Sequence, residues 1–423
     1  MKRAWFLVPI LMIVLAACGQ PAVQPTPSAG ALATLVQQGV EQTLTAASPT
    51  AAPTSTITAE PTATQPPTPT AIPIKRIALL SSETENMYLY TIGSDGSNMQ
   101  RVSNNSNVEG TYDYSPDEQW IAYETYLEAD GNSEIYVMKS DGSDARKLVV
   151  HAQNDFRPVW SPDGSRILFH SDLGERTREV FLVNADGSGL INLSNNGKLN
   201  MDARWSPDGS RISYESAYLS SDEDIANLDI QSSSVILVQD VQSGAVITLP
   251  TPDGMDTVSS AQWSPDGTKI AFNCGGEIAV SAEDSDYSRL QGICVAAADG
   301  SSVELLYSAK TSVKTGKPNF KPDPAWSPDG SQIAFIDLLP DGVTSEIFRM
   351  QADGSQIEQI TQSATDLKTD PAWSKDGLML NFLTQNGSIL NRVFVVYTVN
   401  LDGSHLTELF RRVRYTPMPE WLD

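Results

Sequence analysis

The sequence predicts an all-β protein: a seven-bladed β-propeller of four-stranded antiparallel blades that follows a disordered N-terminal tether. The motif Trp-Ser-Pro-Asp-Gly and its close variants recur six times. A second motif, an alternating apolar strand that ends in Asp-Gly or Ser-Gly, recurs seven times. Successive Ser-Pro-Asp turns are 45 to 63 residues apart, a spacing typical of propeller blades.

Residues 1–17 are predicted to be a lipoprotein signal peptide. Lys2 and Arg3 precede an apolar run that ends in Leu15-Ala16-Ala17-Cys18. The run is shorter than the roughly twenty residues that a membrane-spanning helix needs. The Leu-Ala-Ala-Cys sequence resembles a bacterial lipobox, which implies lipid attachment at Cys18 and a location on the extracytoplasmic face of the cell membrane. The alternative is an ordinary signal peptide with an incidental cysteine.

Residues 18–74 are predicted to be a disordered linker. The segment is rich in Thr, Pro, Ala and Ser, and its charged residues before Pro73 are Glu41 and Glu60. Such a composition buries too little apolar surface to fold, and its prolines favour extended backbone. We expect this tether to hold the following domain away from the membrane.

Residues 75–423 are assigned to the propeller, and each half of the repeat predicts a hairpin. Ser-Pro-Asp-Gly suits a tight turn, because Pro presets φ and Gly accepts a left-handed backbone. The flanking residues alternate between apolar and polar, which is the period of a strand with one buried face. Six tryptophans are predicted to pack between blades, namely Trp160, Trp205, Trp263, Trp326, Trp373 and Trp421.

The two hairpin motifs occur in unequal numbers, and ring closure accounts for the difference. The first unit begins at Ile77 with what reads as a second strand, and the chain ends at Trp421 with what reads as a first strand. Pairing these ends completes a seventh blade and removes exposed sheet edges. A six-bladed ring with one irregular unit is the alternative.

The repeat resembles that of the TolB family of periplasmic propellers, and also the propeller domains of prolyl-oligopeptidase relatives. The resemblance covers about residues 75–423 and rests on Trp-Ser-Pro-Asp-Gly followed by the strand that ends in Asp-Gly-Ser. It implies a propeller that binds protein or peptide, whereas the peptidase relatives carry their chemistry on a separate hydrolase domain. Propellers host many unrelated activities, so the fold alone does not give the function.

Composition excludes several classes of function. The chain carries 28 Lys and Arg against 52 Asp and Glu, a net charge of −24, and a nucleic-acid-binding surface needs concentrated positive charge. Its three histidines are scattered, so we nominate no catalytic residue, no metal site and no cofactor. We expect a monomer.

Long loops are predicted on the face opposite the Ser-Pro-Asp-Gly turns, within residues 217–234, 275–292 and 308–322. Two of them are acidic; they could attract a basic partner or bind Ca²⁺, but their spacing matches no EF-hand, so a basic peptide or protein is the preferred prediction. Simple solvated insertions are the alternative. The candidate residues are Asp222, Glu223, Asp224, Asp229, Glu283, Asp284 and Asp286.

Four further acidic residues precede the tryptophans by three to five positions: Asp155, Asp202, Asp323 and Asp370. Because the first strand of each blade lines the central channel, these carboxylates are predicted at the channel rim. The alternative is that each one caps its own turn by accepting backbone hydrogen bonds.

Cys274 and Cys294 are predicted to form a disulfide. Cys274 ends one predicted strand and Cys294 begins the antiparallel neighbour, so their Cα atoms can come within disulfide range. Export would supply an oxidising compartment; two buried free thiols are the alternative.

The sequence therefore predicts an extracytoplasmic lipoprotein whose propeller binds a protein, a peptide or a glycan. The alternative is an envelope hydrolase or lyase that acts on peptide or carbohydrate in the channel.

Overall fold

The computed structural model describes residues 74–83, 86–103, 110–127, 131–149, 153–174, 177–217, 234–278, 288–312, 321–339, 344–362, 367–386, 393–413 and 419–422. All of them belong to one compact unit, Thr70–Asp423. The signal peptide, Cys18 and most of the linker lie outside the described residues, as do residues 218–233 and 279–287, which hold the acidic loop candidates.

The described residues form strands and turns, with 28 strands in seven groups of four. The first group contains the strands from both ends of the described chain: β1 (Arg76–Glu83), β2 (Asn86–Gly93), β3 (Gln100–Arg101) and β28 (Glu420–Leu422). The second comprises β4 (Tyr112–Tyr114), β5 (Trp120–Leu127), β6 (Asn132–Lys139) and β7 (Arg146–Lys147).

The third and fourth groups are joined into one eight-stranded sheet by a parallel pairing of Arg178 with Leu199. The third comprises β8 (Asp155–Trp160), β9 (Arg166–Gly174), β10 (Thr177–Asn184) and β11 (Ile191–Asn192). The fourth comprises β12 (Leu199–Trp205), β13 (Arg211–Ala217), β14 (Val235–Asp240) and β15 (Val246–Thr248).

The remaining three groups are separate four-stranded antiparallel sheets. The fifth comprises β16 (Thr257–Trp263), β17 (Lys269–Ile278), β18 (Ser288–Ala297) and β19 (Val303–Ser312). The sixth comprises β20 (Ala325–Trp326), β21 (Gln332–Leu338), β22 (Ser345–Gln351) and β23 (Glu358–Gln359). The seventh comprises β24 (Leu367–Trp373), β25 (Met379–Asn386), β26 (Val393–Asn400) and β27 (Thr407–Val413).

Each Ser-Pro-Asp-Gly segment is the turn between the first and second strands of its group, as its residues dictate. In the third group, the Ser161 hydroxyl donates to Asp163 Oδ1 at 2.6 Å and accepts the backbone N–H of Arg166 at 2.9 Å. Gly164 has φ of 69°, a left-handed backbone that glycine adopts without strain.

Apolar clusters join each strand group to the next in the described part of the chain. A further cluster joins the seventh group to the first, with Leu383 and Val396 packed together with Ile77 and Trp421. In the same place β28 pairs with β1, Trp421 lying opposite Ile77. The two ends of the described unit therefore lie in one sheet.

The tryptophans link neighbouring groups, as their repeat position predicts. Most of them are nearly buried, and several donate from the indole N–H to a main-chain carbonyl of the preceding group. The bonds run from Trp205 to Val159 at 3.3 Å, from Trp326 to Gln262 at 3.3 Å, from Trp373 to Ala325 at 2.9 Å and from Trp421 to Ala372 at 3.2 Å.

The fifth group differs from the loop expected between residues 275 and 292. The antiparallel ladder of β17 and β18 continues to the pair Ile278 and Ser288, so the strands extend beyond the predicted loop ends. Cys274 and Cys294 form a disulfide inside this ladder, with a Cα–Cα separation of 5.8 Å. The cross-link joins diagonal neighbours, because Cys274 lies opposite Gly292 and Cys294 opposite Phe272.

Candidate functional site

Five residues with a left-handed backbone occupy one position of the repeat, three residues before a tryptophan. A left-handed backbone costs a non-glycine residue about 1 kcal/mol or more and is frequent at functional sites. We call these residues the bulge ring; they are Arg157, Asp202, Ser260, Asp323 and Asp370, with φ of 45 to 56°. Four of them lie at register shifts between the first and second strands of their groups.

Side chains of the bulge ring meet across neighbouring strand groups. The Arg157 guanidinium forms an ion pair with the carboxylate of Asp202, and the Ser260 hydroxyl donates to Asp323 Oδ1 at 3.0 Å. The first strands of neighbouring groups also contact each other in order, from β4 through β8, β12, β16 and β20 to β24. The bulge ring therefore follows the line along which the first strands of neighbouring groups contact each other.

Polar side chains from second strands satisfy the backbone that the bulges release from the ladder. His170 Nε2 accepts the N–H of Ala203 at 3.3 Å, and Glu215 Oε1 accepts the N–H of Ser260 at 2.5 Å. Asn273 Oδ1 accepts the N–H of Asp323 at 2.8 Å. A buried backbone N–H needs such an acceptor, so these three side chains hold the bulge of the next group in place.

Burial and neighbouring charges shift the ionisation of this region. Burial raises the pKa of Glu215 to about 8, with a further contribution from the negative charge of Asp202. Burial and then the charge of Asp370 raise the pKa of Asp323 to about 6. Burial and the charge of Arg157 lower the pKa of His170 to about 3, so its imidazole is neutral and can act as the acceptor described above.

Three cations face these carboxylates. Burial alone would raise the pKa of Asp202, but the charges of Arg157 and Arg204 outweigh it and hold this pKa below the usual value. Arg204 and Lys321 also oppose the rise that burial causes in the pKa of Asp370. The site thus presents carboxyl groups of both protonation states beside guanidinium and ammonium groups, an arrangement that can hold a polar ligand at several points.

A second pair of acids lies one residue before the aromatic position of the repeat. Asp113 Oδ2 accepts the N–H of Trp160 at 2.6 Å, and Glu420 Oε2 accepts the N–H of Tyr114 at 3.3 Å. Burial raises the pKa of Asp113 to about 7. Burial and the charge of Asp113 raise the pKa of Glu420 well above its usual value.

Among the described residues, no group of three or more His, Cys, Asp or Glu side chains is placed to hold a metal ion.

The structure places three of the four rim candidates, Asp202, Asp323 and Asp370, in the bulge ring. Asp155 lies five residues before its tryptophan rather than three, is fully buried and pairs with Ser171 of β9. Arg157 occupies the corresponding ring position in that group. Sequence reasoning selected acidic residues; counting a fixed offset of three from each tryptophan would have found Arg157 and Ser260 as well.

Comparison with known proteins matches the repeat to one family. Residues 75–240 match the family model described as TolB beta propeller domain. An uncharacterized peptidase, YuxL, of Bacillus subtilis (strain 168) is 32% identical over 94 residues, which are 22% of this chain and 14% of that protein. The match therefore spans a small part of the relative's length.

Two solved structures are among those to which the chain is similar. TolB from Acinetobacter baumannii is 20% identical, with 66% of this chain and 62% of that chain covered and a TM-score of 0.44. An oligogalacturonate lyase in complex with manganese is 13% identical, with 80% and 86% covered and a TM-score of 0.54. The expected TolB-like repeat is confirmed over residues 75–240, and the similarity to the lyase concerns the all-β propeller fold alone.

Proposed function

We propose that this chain is an extracytoplasmic binding or scaffold module whose propeller holds a protein, peptide or glycan ligand at the bulge ring. The observation that carries this proposal is the ring itself: five strained backbones at one repeat position, with charged and hydroxyl side chains that meet across strand groups. Strain of this kind persists only where the surrounding structure over-determines it. Here buried acceptors from second strands supply that support.

The finer architecture is part of the proposal. We take the seven strand groups as seven blades of one ring, closed by the pairing of β28 with β1. Its supports are the strand pairing of Trp421 with Ile77 and the apolar cluster shared by the seventh and first groups. A ring has no open sheet edge.

The location is proposed from the sequence. A lipid on Cys18 would anchor the chain to the cell membrane, residues 18–74 would act as the linker, and the propeller of residues 75–423 would work as a monomer on the extracytoplasmic face. Among the described residues, no helix has the length and apolarity to cross a bilayer. The resemblance to TolB-type propellers supports a protein ligand in the cell envelope.

The chemistry of the ring favours a ligand with several polar groups. The lowered pKa of Asp202 keeps its carboxylate ionised at neutral pH, whereas Glu215, with its pKa of about 8, is mostly protonated and can donate a hydrogen bond. The acidic loop residues, including Asp222 and Glu283, would add attraction for a basic partner.

A channel hydrolase or lyase is the second candidate, favoured by one observation. The pKa values of Asp113, Glu215 and Asp323 are raised to about 7, 8 and 6. Carboxyl groups that titrate near neutral pH are suited to proton transfer in catalysis.

Photo-crosslinking on intact cells tests the proposal, comparing the full chain with Asp370→Asn and with the control Glu304→Gln, which changes an exposed carboxylate on β19. We expect the parent chain and the control to capture the same partner, and Asp370→Asn to capture at least about tenfold less, because losing one hydrogen bond to a charged ligand group costs about 1.5–3 kcal/mol. Equal capture by all three chains would contradict binding at the ring. Turnover in a screen of peptides and oligosaccharides, lost in Asp370→Asn, would favour the enzyme.

A further inference from the structure

The repeat shows how the molecule covers its own tryptophans at the turn end of each strand group. Arg166 begins β9 and its guanidinium lies 5.0 Å from the ring centre of Trp205 in the next group. Arg211 begins β13 and lies 4.9 Å from the ring centre of Trp263. A cation over an indole face is attracted by the electron density of the ring. In both places an arginine of one strand group therefore covers one face of the tryptophan indole in the next group.

The same arginines bind backbone carbonyls of the neighbouring turn. Arg211 Nη2 donates to the carbonyl of Gly267 at 2.9 Å and its Nη1 to Ala298 at 3.2 Å. Arg166 Nη2 donates to the carbonyl of Gly209 at 3.4 Å. The position thus offers an indole face and carbonyl acceptors, a combination that matches a planar guanidinium.

The junction between the second and third groups departs from this arrangement. Trp120 begins β5 and stands where Arg166 and Arg211 stand in later groups. A groove of about 420 Å³ opens there, with Trp120, Trp160, Pro116 and Pro162 in its wall. Among the described residues no guanidinium lies over Trp160, which is nevertheless buried, and Trp120 packs against the apolar cluster that contains it. The half-buried Trp120 is therefore the indole that the groove exposes.

Arg146 of this chain already engages one carbonyl acceptor of this junction, and the groove carries an excess of negative charge. Arg146 donates to the carbonyl of Ala185 at 3.0 Å, the contact that corresponds to that of Arg211 with Ala298. Three carboxylates line the groove, Asp117, Asp163 and Asp186. Hydrogen bonds from turn serines lower the pKa of each of them, so all three are ionised at neutral pH against the single charge of Arg146.

We propose that the groove between Trp120 and Trp160 binds the guanidinium of an arginine side chain presented by a partner protein. Arg166 and Arg211 make such a contact from within the chain at the two following junctions, whereas here Trp120 fills their position and packs against the cluster that contains Trp160. The partner arginine stacks on the half-buried indole of Trp120 in the groove wall and is balanced by the carboxylates of the groove. The site lies at the Ser-Pro-Asp-Gly turns and shares no residue with the bulge ring, so it stands independently of the function proposed above.

A second groove of the same face provides an internal control. It measures about 530 Å³ and lies between the sixth and seventh groups, where Gln332 begins β21 and faces Trp373. Arg349 and Lys375 line it together with Asp329 and Asp376. Its charges are balanced, so a guanidinium gains little there.

Titration of the full chain by NMR, read from the indole N–H signals of tryptophan, tests the proposal. The probes are the blocked peptide acetyl-Gly-Arg-Gly-amide and its citrulline counterpart, which has nearly the same shape without the charge. We expect saturable shifts of Trp120 with the arginine peptide, and affinity for the citrulline peptide at least about tenfold weaker.

Trp120→Arg is the decisive variant, because it installs the residue that the third and fourth groups carry at this position. We expect it to fold normally, checked by urea unfolding, and to bind the arginine peptide at least about tenfold more weakly. Its matched control, Gln332→Arg in the second groove, should bind like the parent chain. Trp120→Gln, which copies the residue of the second groove, should also lose binding and provides a second variant if Trp120→Arg is unstable.

Three results would overturn the proposal. They are equal affinity for the arginine and citrulline peptides, unchanged binding by a folded Trp120→Arg chain, and the absence of any saturable shift up to about 10 mM peptide, the range of the weakest specific contacts. The bulge-ring variant Asp370→Asn should leave peptide binding unchanged, so failure of one proposal can be told from failure of the other.

Discussion

Neighbouring turns meet in two different ways around this molecule, by apolar contact at five junctions and by charge at the ends of the chain. At the five regular junctions, the turn glycine of one strand group lies against the turn proline of the preceding group. A β-carbon built on the glycine would lie 3.5 to 3.6 Å from the proline ring. The pairs are Gly164 with Pro116, Gly209 with Pro162, Gly267 with Pro207, Gly330 with Pro265 and Gly377 with Pro328.

The junction of the chain ends replaces these contacts with ion pairs. The turn of the second group reads Ser-Pro-Asp-Glu and that of the seventh reads Ser-Lys-Asp-Gly. Glu118, at the glycine position, pairs with Lys375, at the proline position, at 2.6 Å and with Arg76 of β1 at 3.0 Å. Lys75 pairs with Asp376 at 3.0 Å. The two deviating turn residues therefore bind each other across the first group.

The difference shows what the turn motif requires. Glu118 has φ of 55° and its N–H donates to the Ser115 carbonyl at 2.7 Å, so the turn keeps its shape without glycine. The left-handed backbone costs a residue with a side chain about 1 kcal/mol. The first group has no Ser-Pro-Asp turn of its own, because its first two strands come from opposite ends of the chain, and long charged side chains span that space.

The largest expected effect compares the tryptophan of β28, the strand at the junction of the chain ends, with the tryptophan of β24, a strand at a regular junction. Trp421→Ala and Trp373→Ala each remove a buried indole and one hydrogen bond to the preceding group, at 3.2 and 2.9 Å. We expect each to lower the free energy of unfolding by about 3–5 kcal/mol, measured by urea denaturation. Ile247→Ala, at an exposed side chain, is the control, with an expected change below about 0.5 kcal/mol. A much smaller loss for Trp421→Ala would show that the chain ends close the sheet only weakly.

The regular junctions are expected to respond to acid through His170, which accepts the N–H of Ala203 in the next group. Its pKa is about 3 in the folded chain and about 6.5 when unfolded. The unfolded chain therefore binds more protons between these values, and its stability contribution is present above about pH 6.5 and is lost as the pH falls towards 3. His170→Gln keeps an acceptor for the Ala203 N–H but does not titrate.

We expect the parent chain to lose stability with falling pH more steeply than His170→Gln, by up to about 1.4 kcal/mol per pH unit. Urea unfolding at several values between about pH 7 and pH 5 measures the slope. Because both chains share the raised pKa values of Glu215 and Asp323, the difference between them isolates the imidazole. Identical slopes would show that His170 does not act as a neutral acceptor.

Much of the fold could be predicted from the sequence because each repeat contains its own turn residues and its own alternation of apolar and polar strand residues. Ser161 and Asp163 fix their hairpin by contacts within a few residues, and Trp421 is recognisable by its place in the repeat. The bulge ring was only partly predictable, since the register shift at Arg157 and Ser260 depends on acceptors such as Glu215 from a neighbouring group. The extended strands of the fifth group, tied at Cys274, likewise depend on pairing rather than on local composition.

The smallest expected effect comes from exchanging glycine and glutamate at the third residue after the turn serine, at a regular junction and at the junction of the chain ends. Gly267→Glu places a side chain on a left-handed backbone, φ of 68°, with only the ordinary contact to Pro207, and we expect a loss of about 1 kcal/mol. Glu118→Gly relieves similar strain but removes the pairs with Lys375 and Arg76, which are partly exposed and contribute no more than about 1 kcal/mol. The relieved strain and the lost ion pairs offset each other, so the stability of Glu118→Gly in low salt should match that of the parent within about 0.5 kcal/mol.

Salt distinguishes the backbone strain from the ion pairs. Since screening weakens exposed ion pairs, Glu118→Gly should become more stable than the parent chain as NaCl rises towards about 1 M, whereas the loss of stability in Gly267→Glu should stay constant. A parent chain whose stability relative to Glu118→Gly does not change with salt would show that charge does not hold the chain ends together.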